Sequence, residues 1–128
     1  MLAENTVLTG RRAITRSYAK INLTLDVLSK RENGYHDIKM IMQTVSLFDL
    51  ILVDKTHRGI SISTNLPYLP CNEKNIAYKA ADAFFKATGI RGGAKIVIHK
   101  NIPVAAGLAG GSGNAYRCVT RCRCAVLF

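Results

Sequence analysis

The chain has 128 residues, 48% of them hydrophobic and 20% charged, with a formal net charge of +10 from 18 Lys and Arg against 8 Asp and Glu. This composition suits one globular domain with one core. It excludes a disordered polypeptide, and no apolar run approaches the roughly 20 residues of a membrane-spanning helix.

The basic excess suggests an anionic partner, whether nucleic acid, an anionic membrane or a phosphorylated small molecule. Its distribution disfavours a dedicated nucleic-acid binder, because Arg11, Arg12 and Arg16 lie at the front and Arg117, Arg121 and Arg123 at the back. In chain order, residues 1–16 read as a basic, disordered lead without the apolar core of a secretory signal. Residues 17–28, SYAKINLTLDVL, alternate strictly: Ala19, Ile21, Leu23, Leu25 and Val27 against Tyr18, Lys20, Asn22, Thr24 and Asp26. A period of two predicts a strand with one buried and one polar face, so that Lys20, Asn22 and Asp26 share the polar one. Asn33-Gly34 marks a turn. Residues 37–46, 49–55 and 58–64 read as strands, and Pro67, Pro70 and Asn72 as a loop.

Over residues 75–88 the period changes. Ile76, Ala80 and Phe84 recur at spacing four beside Ala77, Ala81 and Phe85, which predicts an amphipathic helix capped by Gly89. Residues 93–100 return to alternation. A glycine-rich segment, NIPVAAGLAGGSGNA at 101–115, follows that strand directly. Small residues let main-chain N–H groups approach phosphate oxygens, and a following helix adds positive potential. The segment is neither a G-x-x-x-x-G-K-[ST] loop nor a convincing G-x-G-x-x-G. Residues 116–128 show no apolar stripe and are expected to pack poorly. The cysteines are Cys71, Cys118, Cys122 and Cys124. The last three form neither a paired zinc motif nor a disulfide framework, so reduced thiols, no metal site and a cytoplasmic location are expected.

Three strings, in order and at consistent spacing, carry a resemblance. PVAAGLAGGSGNA resembles the P-x-x-x-G-L-x-x-S-S motif of the GHMP kinases, in the form found among the diphosphocytidyl-methylerythritol kinases. AKINLTLDV and KRENGYH agree with the same family, and the likeness runs over about residues 17–115. It implies an α+β fold, the GHMP kinase N-terminal domain with its ribosomal-protein-like architecture, here truncated. It also implies ATP, with Mg²⁺ accompanying the nucleotide, as cofactors, and transfer of the γ-phosphoryl group to a hydroxyl of a cytidine-diphosphate-linked methylerythritol. Nucleic acid and membrane are not implied as partners. The catalytic cation falls on Lys20. Asn22, Tyr35 and His36 fall on substrate positions. Asn75, Lys100 and the loop Pro103, Val104, Ala105, Ala106, Gly107, Leu108, Ala109, Gly110, Gly111, Ser112 and Gly113 fall on ATP positions. Lys20, Asn22 and the loop are expected to face one cleft.

Three departures accompany the likeness. Gly113 stands where the motif has its second Ser. The tail lacks the expected Ala-rich helix, as a frameshift or early stop near residue 115 would leave it. The family's catalytic Asp lies downstream of the last residue, and Asp26, about 20 Å from Lys20 by strand rise, is a poor substitute. The chain alone is therefore expected to be inactive. Two rival readings are a basic RNA-binding module and a non-catalytic fragment whose unfinished sheet pairs with another chain.

Overall fold

The computed structural model describes residues 6–127, so the part of the expected lead on residues 1–5 and the last residue, Phe128, lie outside the described residues. The elements are β1 (Thr6–Thr9), β2 (Arg12–Lys30), β3 (His36–Thr56), β4 (Gly59–Thr64), α1 (Ile76–Thr88), β5 (Gly93–His99) and α2 (Gly110–Leu127). The strands form one sheet in the order β1-β2-β3-β5-β4. All neighbours are antiparallel except β4 and β5. Parallel neighbours need a crossover, and α1 supplies it.

Both helices cover one face of the sheet, making two layers around one core. Ile51 and Val53 of β3, Ile62 of β4 and Ala94, Ile96 and Ile98 of β5 meet Ala77 and Ala81 of α1 and Cys118 and Cys122 of α2. Alanine on α1 lets the two helices approach closely. α1 starts where Asn75 Oδ1 accepts the Ala77 N–H at 2.9 Å, and it ends where Gly89 takes a left-handed φ of 65°. The glycine cap is as the sequence predicts, while Asn75, expected as the first helical residue, is the N-cap.

Four expectations change. The lead is not irregular from Thr6 onward. β1 pairs with β2 around Gly10, which takes a left-handed φ of 56°, and Ala13 and Thr15 are buried. The two strands expected at 37–46 and 49–55 are one continuous strand, β3. The tail is helical: Gly110, Asn114, Cys118 and Cys122 are buried at spacing four, with Arg121 beside them. Cysteine serves there as a small hydrophobic residue, and the stripe escapes a pattern search because Asn and Arg belong to it.

The fourth change concerns β2. Its inner half buries Ala13, Thr15, Ser17 and Ala19 against the helix layer. Its outer half, from Ile21 to Lys30, is exposed on both faces, and Ile21, Leu23, Leu25 and Val27 are not core. No helix lies over the outer ribbon among the described residues. A bulge also falls between Asn22, opposite Met42, and Thr24, opposite Ile41. Directly opposed residues share a face and neighbours along a strand do not. The extra residue therefore moves Thr24 and Asp26 to the face opposite Lys20. It brings Leu25 and Val27 onto the face of Lys20 and Asn22.

Candidate functional site

The glycine-rich loop leaves β5 at Lys100 and is held at its start by a buried acid. Asp49, on β3, has no exposed surface. Its Oδ1 accepts the main-chain N–H groups of Asn101 at 2.7 Å and Ile102 at 2.8 Å, and its Oδ2 accepts the Lys100 ammonium. Asn65 brackets the Lys100 main chain, accepting its N–H at 2.7 Å and donating to its carbonyl at 3.1 Å. Farther along, the Lys20 N–H donates to the Leu108 carbonyl at 3.1 Å, tying the loop to β2.

Between these anchors the loop uses left-handed conformations at Ala105 (φ 60°), Gly107 (φ 70°) and Ala109 (φ 62°). For alanine this costs roughly 1 kcal/mol per residue, a strain that persists only where the surroundings enforce it. Successive residues of opposite hand turn main-chain N–H groups toward a common point, where an anion can sit. Two glycines then permit close packing. A Cβ on Gly110 would lie 3.0 Å from Lys100 Nζ, and one on Gly113 would lie 2.5 Å from Ser17 Oγ. Ser17 thus fills the space a side chain at position 113 would need.

The loop and the first turn of α2 form one wall of a cavity of about 450 Å³; residues between Leu69 and Ile76 form the other. The N-terminal ends of both helices open onto it, and Lys74 lies on its rim. Helix N-termini carry partial positive charge from unpaired N–H groups, so the cavity favours an anion. No Asp or Glu among the described residues lines it.

Of the expected nucleotide positions, Asn75, Lys100 and residues 103–112 line this cavity, while Gly113 packs against β2 instead. Two of them are occupied structurally. Asn75 caps α1 and donates to the Pro70 carbonyl at 2.9 Å, and the side chain of Lys100, only 6% exposed, pairs with Asp49 rather than standing free. Lys20 and Asn22 are not cavity walls. The Lys20 ammonium donates to Asn22 Oδ1 at 3.2 Å, and alternation from buried Ala19 puts both side chains on the face away from the helices. Lys20 meets the loop through its main chain, beside Leu108.

Tyr35 and His36 are exposed at the ribbon tip. That tip is ordered by the Arg31–Asp37 ion pair and by the Tyr35 N–H donating to Asn33 Oδ1 at 3.1 Å. A straight ribbon at roughly 3.3 Å per residue places it up to about 30 Å from Lys20. The register nevertheless aligns them. His36, Ile38, Met40, Met42 and Thr44 share one face of β3, and Thr44 and Met42 oppose Lys20 and Asn22. One ribbon face therefore runs from Lys20 to His36. Sequence reading missed Asp49, although a lone acid inside the apolar run SLFDLILV is the signal that could have found it.

The description "GHMP kinases N terminal domain" matches residues 75–120. A curated 4-diphosphocytidyl-2-C-methyl-D-erythritol kinase of Clostridium kluyveri is 54% identical over 102 residues, covering 80% of this chain and 36% of that protein. One of Clostridium botulinum is 54% identical over 100 residues, covering 78% and 36%. A crystal structure of 4-(cytidine 5'-diphospho)-2C-methyl-D-erythritol kinase superposes with a TM-score of 0.79 at 34% identity, covering 88% of this chain and 40% of that one. A homoserine kinase from Cytophaga hutchinsonii shares the fold, with a TM-score of 0.61 at 16% identity, covering 89% of this chain and 35% of that one. This chain spans 36% of the length of the curated relatives it matches. By sequence and by fold, the chain carries the GHMP kinase N-terminal domain.

Proposed function

We propose that the chain supplies the ATP-binding side of a kinase that transfers the γ-phosphoryl group to a hydroxyl of 4-diphosphocytidyl-2-C-methyl-D-erythritol. The observation that carries this reading is the left-handed loop joined to the start of α2, over a cavity that two helix N-termini open onto and no carboxylate among the described residues lines. Phosphoryl transfer needs mainly positioning and stabilisation of spread negative charge, which preorganised N–H groups and cations provide.

In this reading the ATP phosphates lie along residues 105–112, and residues 69–76 bound the nucleoside. Mg²⁺ entering with the nucleotide would neutralise phosphate charge. Ser112 and Asn114 are the side-chain oxygens that the first turn of α2 offers it, and Asn114 Oδ1 is buried with no hydrogen-bond partner. Lys20 offsets charge on the group in transfer, with Asn22 orienting it. Tyr35 stacks on the cytidine base and His36 hydrogen-bonds it, at the far end of the same ribbon face. The hydroxyl's proton needs an acceptor, and no carboxylate among the described residues lines the cavity, so a base outside these residues must take it.

The test is calorimetric titration of the chain with ATP, beside a coupled ADP-release assay with the methylerythritol substrate. Binding of ATP in the micromolar-to-millimolar range is expected, with no turnover. Gly107→Val should abolish binding, because a β-branched residue resists a left-handed φ. Absence of ATP binding, or binding untouched by that variant, would overturn the proposal.

A further inference from the structure

We propose that Asp49 is a positioning residue that fixes both ends of the glycine-rich loop for phosphate binding. The inference rests on the ATP-site reading and extends it to a residue outside the loop.

Asp49 is fully buried, and three donors converge on it: the Asn101 N–H, the Ile102 N–H and the Lys100 ammonium. The first two hold the loop's entry. Lys100 carries the restraint to its exit, because Lys100 Nζ and Ile102 Cγ2 lie 3.0 and 3.1 Å from where a Cβ on Gly110 would stand. Gly110 is the first residue of α2 and lines the cavity. One carboxylate on a central strand therefore sets where the loop begins and, through its ion pair, how closely α2 seats at the other end. Asn101 adds a second tie to the same strand, donating from Nδ2 to the Phe48 carbonyl at 2.9 Å.

A buried ion pair is a weak device for stability alone, since desolvating two charges offsets most of their attraction. Its geometric demand is strict, however, and the left-handed alanines of the loop need such a demand to persist. Phosphate affinity depends on main-chain N–H groups held in place before the ligand arrives. Nucleoside binding against residues 69–76 does not depend on them. Asp49 should therefore govern the preference for ATP over adenosine more than affinity for the nucleoside itself.

The experiment compares the chain with Asp49→Asn and with Asp49→Asn/Lys100→Met. The double variant leaves no unpaired buried ammonium and covers the case in which the single one fails to fold. Amide hydrogen exchange is followed without nucleotide, and calorimetry is run with ATP and with adenosine. In a folded variant, amides 102–110 should exchange on the order of tenfold faster while those of α1 keep their protection, and the ATP-to-adenosine affinity ratio should fall about tenfold. Unchanged loop exchange with an unchanged ratio in a folded variant would overturn the proposal. If the parent chain binds no nucleotide, the ATP reading fails by itself, and loop exchange still decides whether Asp49 holds the loop.

Discussion

β2 and β3 pair along most of their length, yet their two halves lead different lives. In the inner half, Ala13, Thr15, Ser17 and Ala19 face Val53, Ile51 and Asp49 under the helix layer, and all are buried. In the outer half the same two strands carry Leu25 at 50%, Val27 at 60% and Met42 at 60% exposure. Apolar content does not separate the halves; the exposed Leu25 and Val27 of β2 are more apolar than the buried Ala13, Thr15, Ser17 and Ala19. A second layer separates them. Alternation shows that a strand can bury a face, but only a covering element makes it do so. A bare two-stranded ribbon is marginal in water, so the outer half draws its order from continuity with the inner one.

The sharpest test substitutes one residue in each half. Ile51→Ala should cost about 3 kcal/mol, because it opens a cavity in a closed core. Leu25→Ala should cost less than about 0.5 kcal/mol, because an exposed side chain leaves no cavity. Urea unfolding of both variants measures the contrast, and equal losses would mean that the outer ribbon is covered in solution.

A second test probes the covering layer. Burial pushes the Cys118 thiol up to about 12, with Cys122 adding to it, and the Cys122 thiol to about 11, against an ordinary value of 9.0. Both folded values are raised, so this stabilisation is fully present below the unfolded value. It declines as pH rises from about 9 toward 12, by at most about 1.4 kcal/mol per pH unit for each thiol. The difference in stability between the chain and Cys118→Ala/Cys122→Ala should shrink over that window. A pH-independent difference would mean that α2 does not seal the inner half.

The smallest effect concerns the inner half's open face. Arg12 Nε donates to Asp54 Oδ1 at 2.6 Å, and that hydrogen bond holds the Asp54 carboxyl below its ordinary range. The contribution is present above the unfolded carboxylate value and is lost as pH falls through the lower folded one. Arg12→Ala should move the Asp54 titration upward by NMR while global stability stays nearly unchanged, since exposed pairs contribute little. A large loss of stability would place this face in a buried environment too.

Sequence reading succeeded where one local rule acts alone. α1 follows from its spacing and its glycine cap, β5 from alternation, and the loop from glycine after a strand. It failed where a distant element decides. The β1–β2 hairpin looked like a basic lead because Arg11 and Arg12 outweighed the turn at Gly10. α2 looked incoherent because its buried stripe is Gly, Asn and Cys. The loop's position was legible, but its anchor was not, since Asp49 lies 51 residues before Lys100. The bulge at Leu23 left no mark in a perfect alternation.

That bulge makes the ribbon's two sides a matter of parity. Counting in twos from Lys20 selects Asn22, Thr24 and Asp26, a hydrophilic set; the one extra residue shifts the count, so the side holding Lys20 continues through Leu25 and Val27. Loss of a single codon between Asn22 and Thr24 would close the bulge and leave Leu25 and Val27 on the side of Lys20, whereas straightening the ribbon with Leu23 retained would exchange the two sides as far as Val27. The chemistry that Lys20 meets along the ribbon is therefore specified by where the strand bulges as much as by composition.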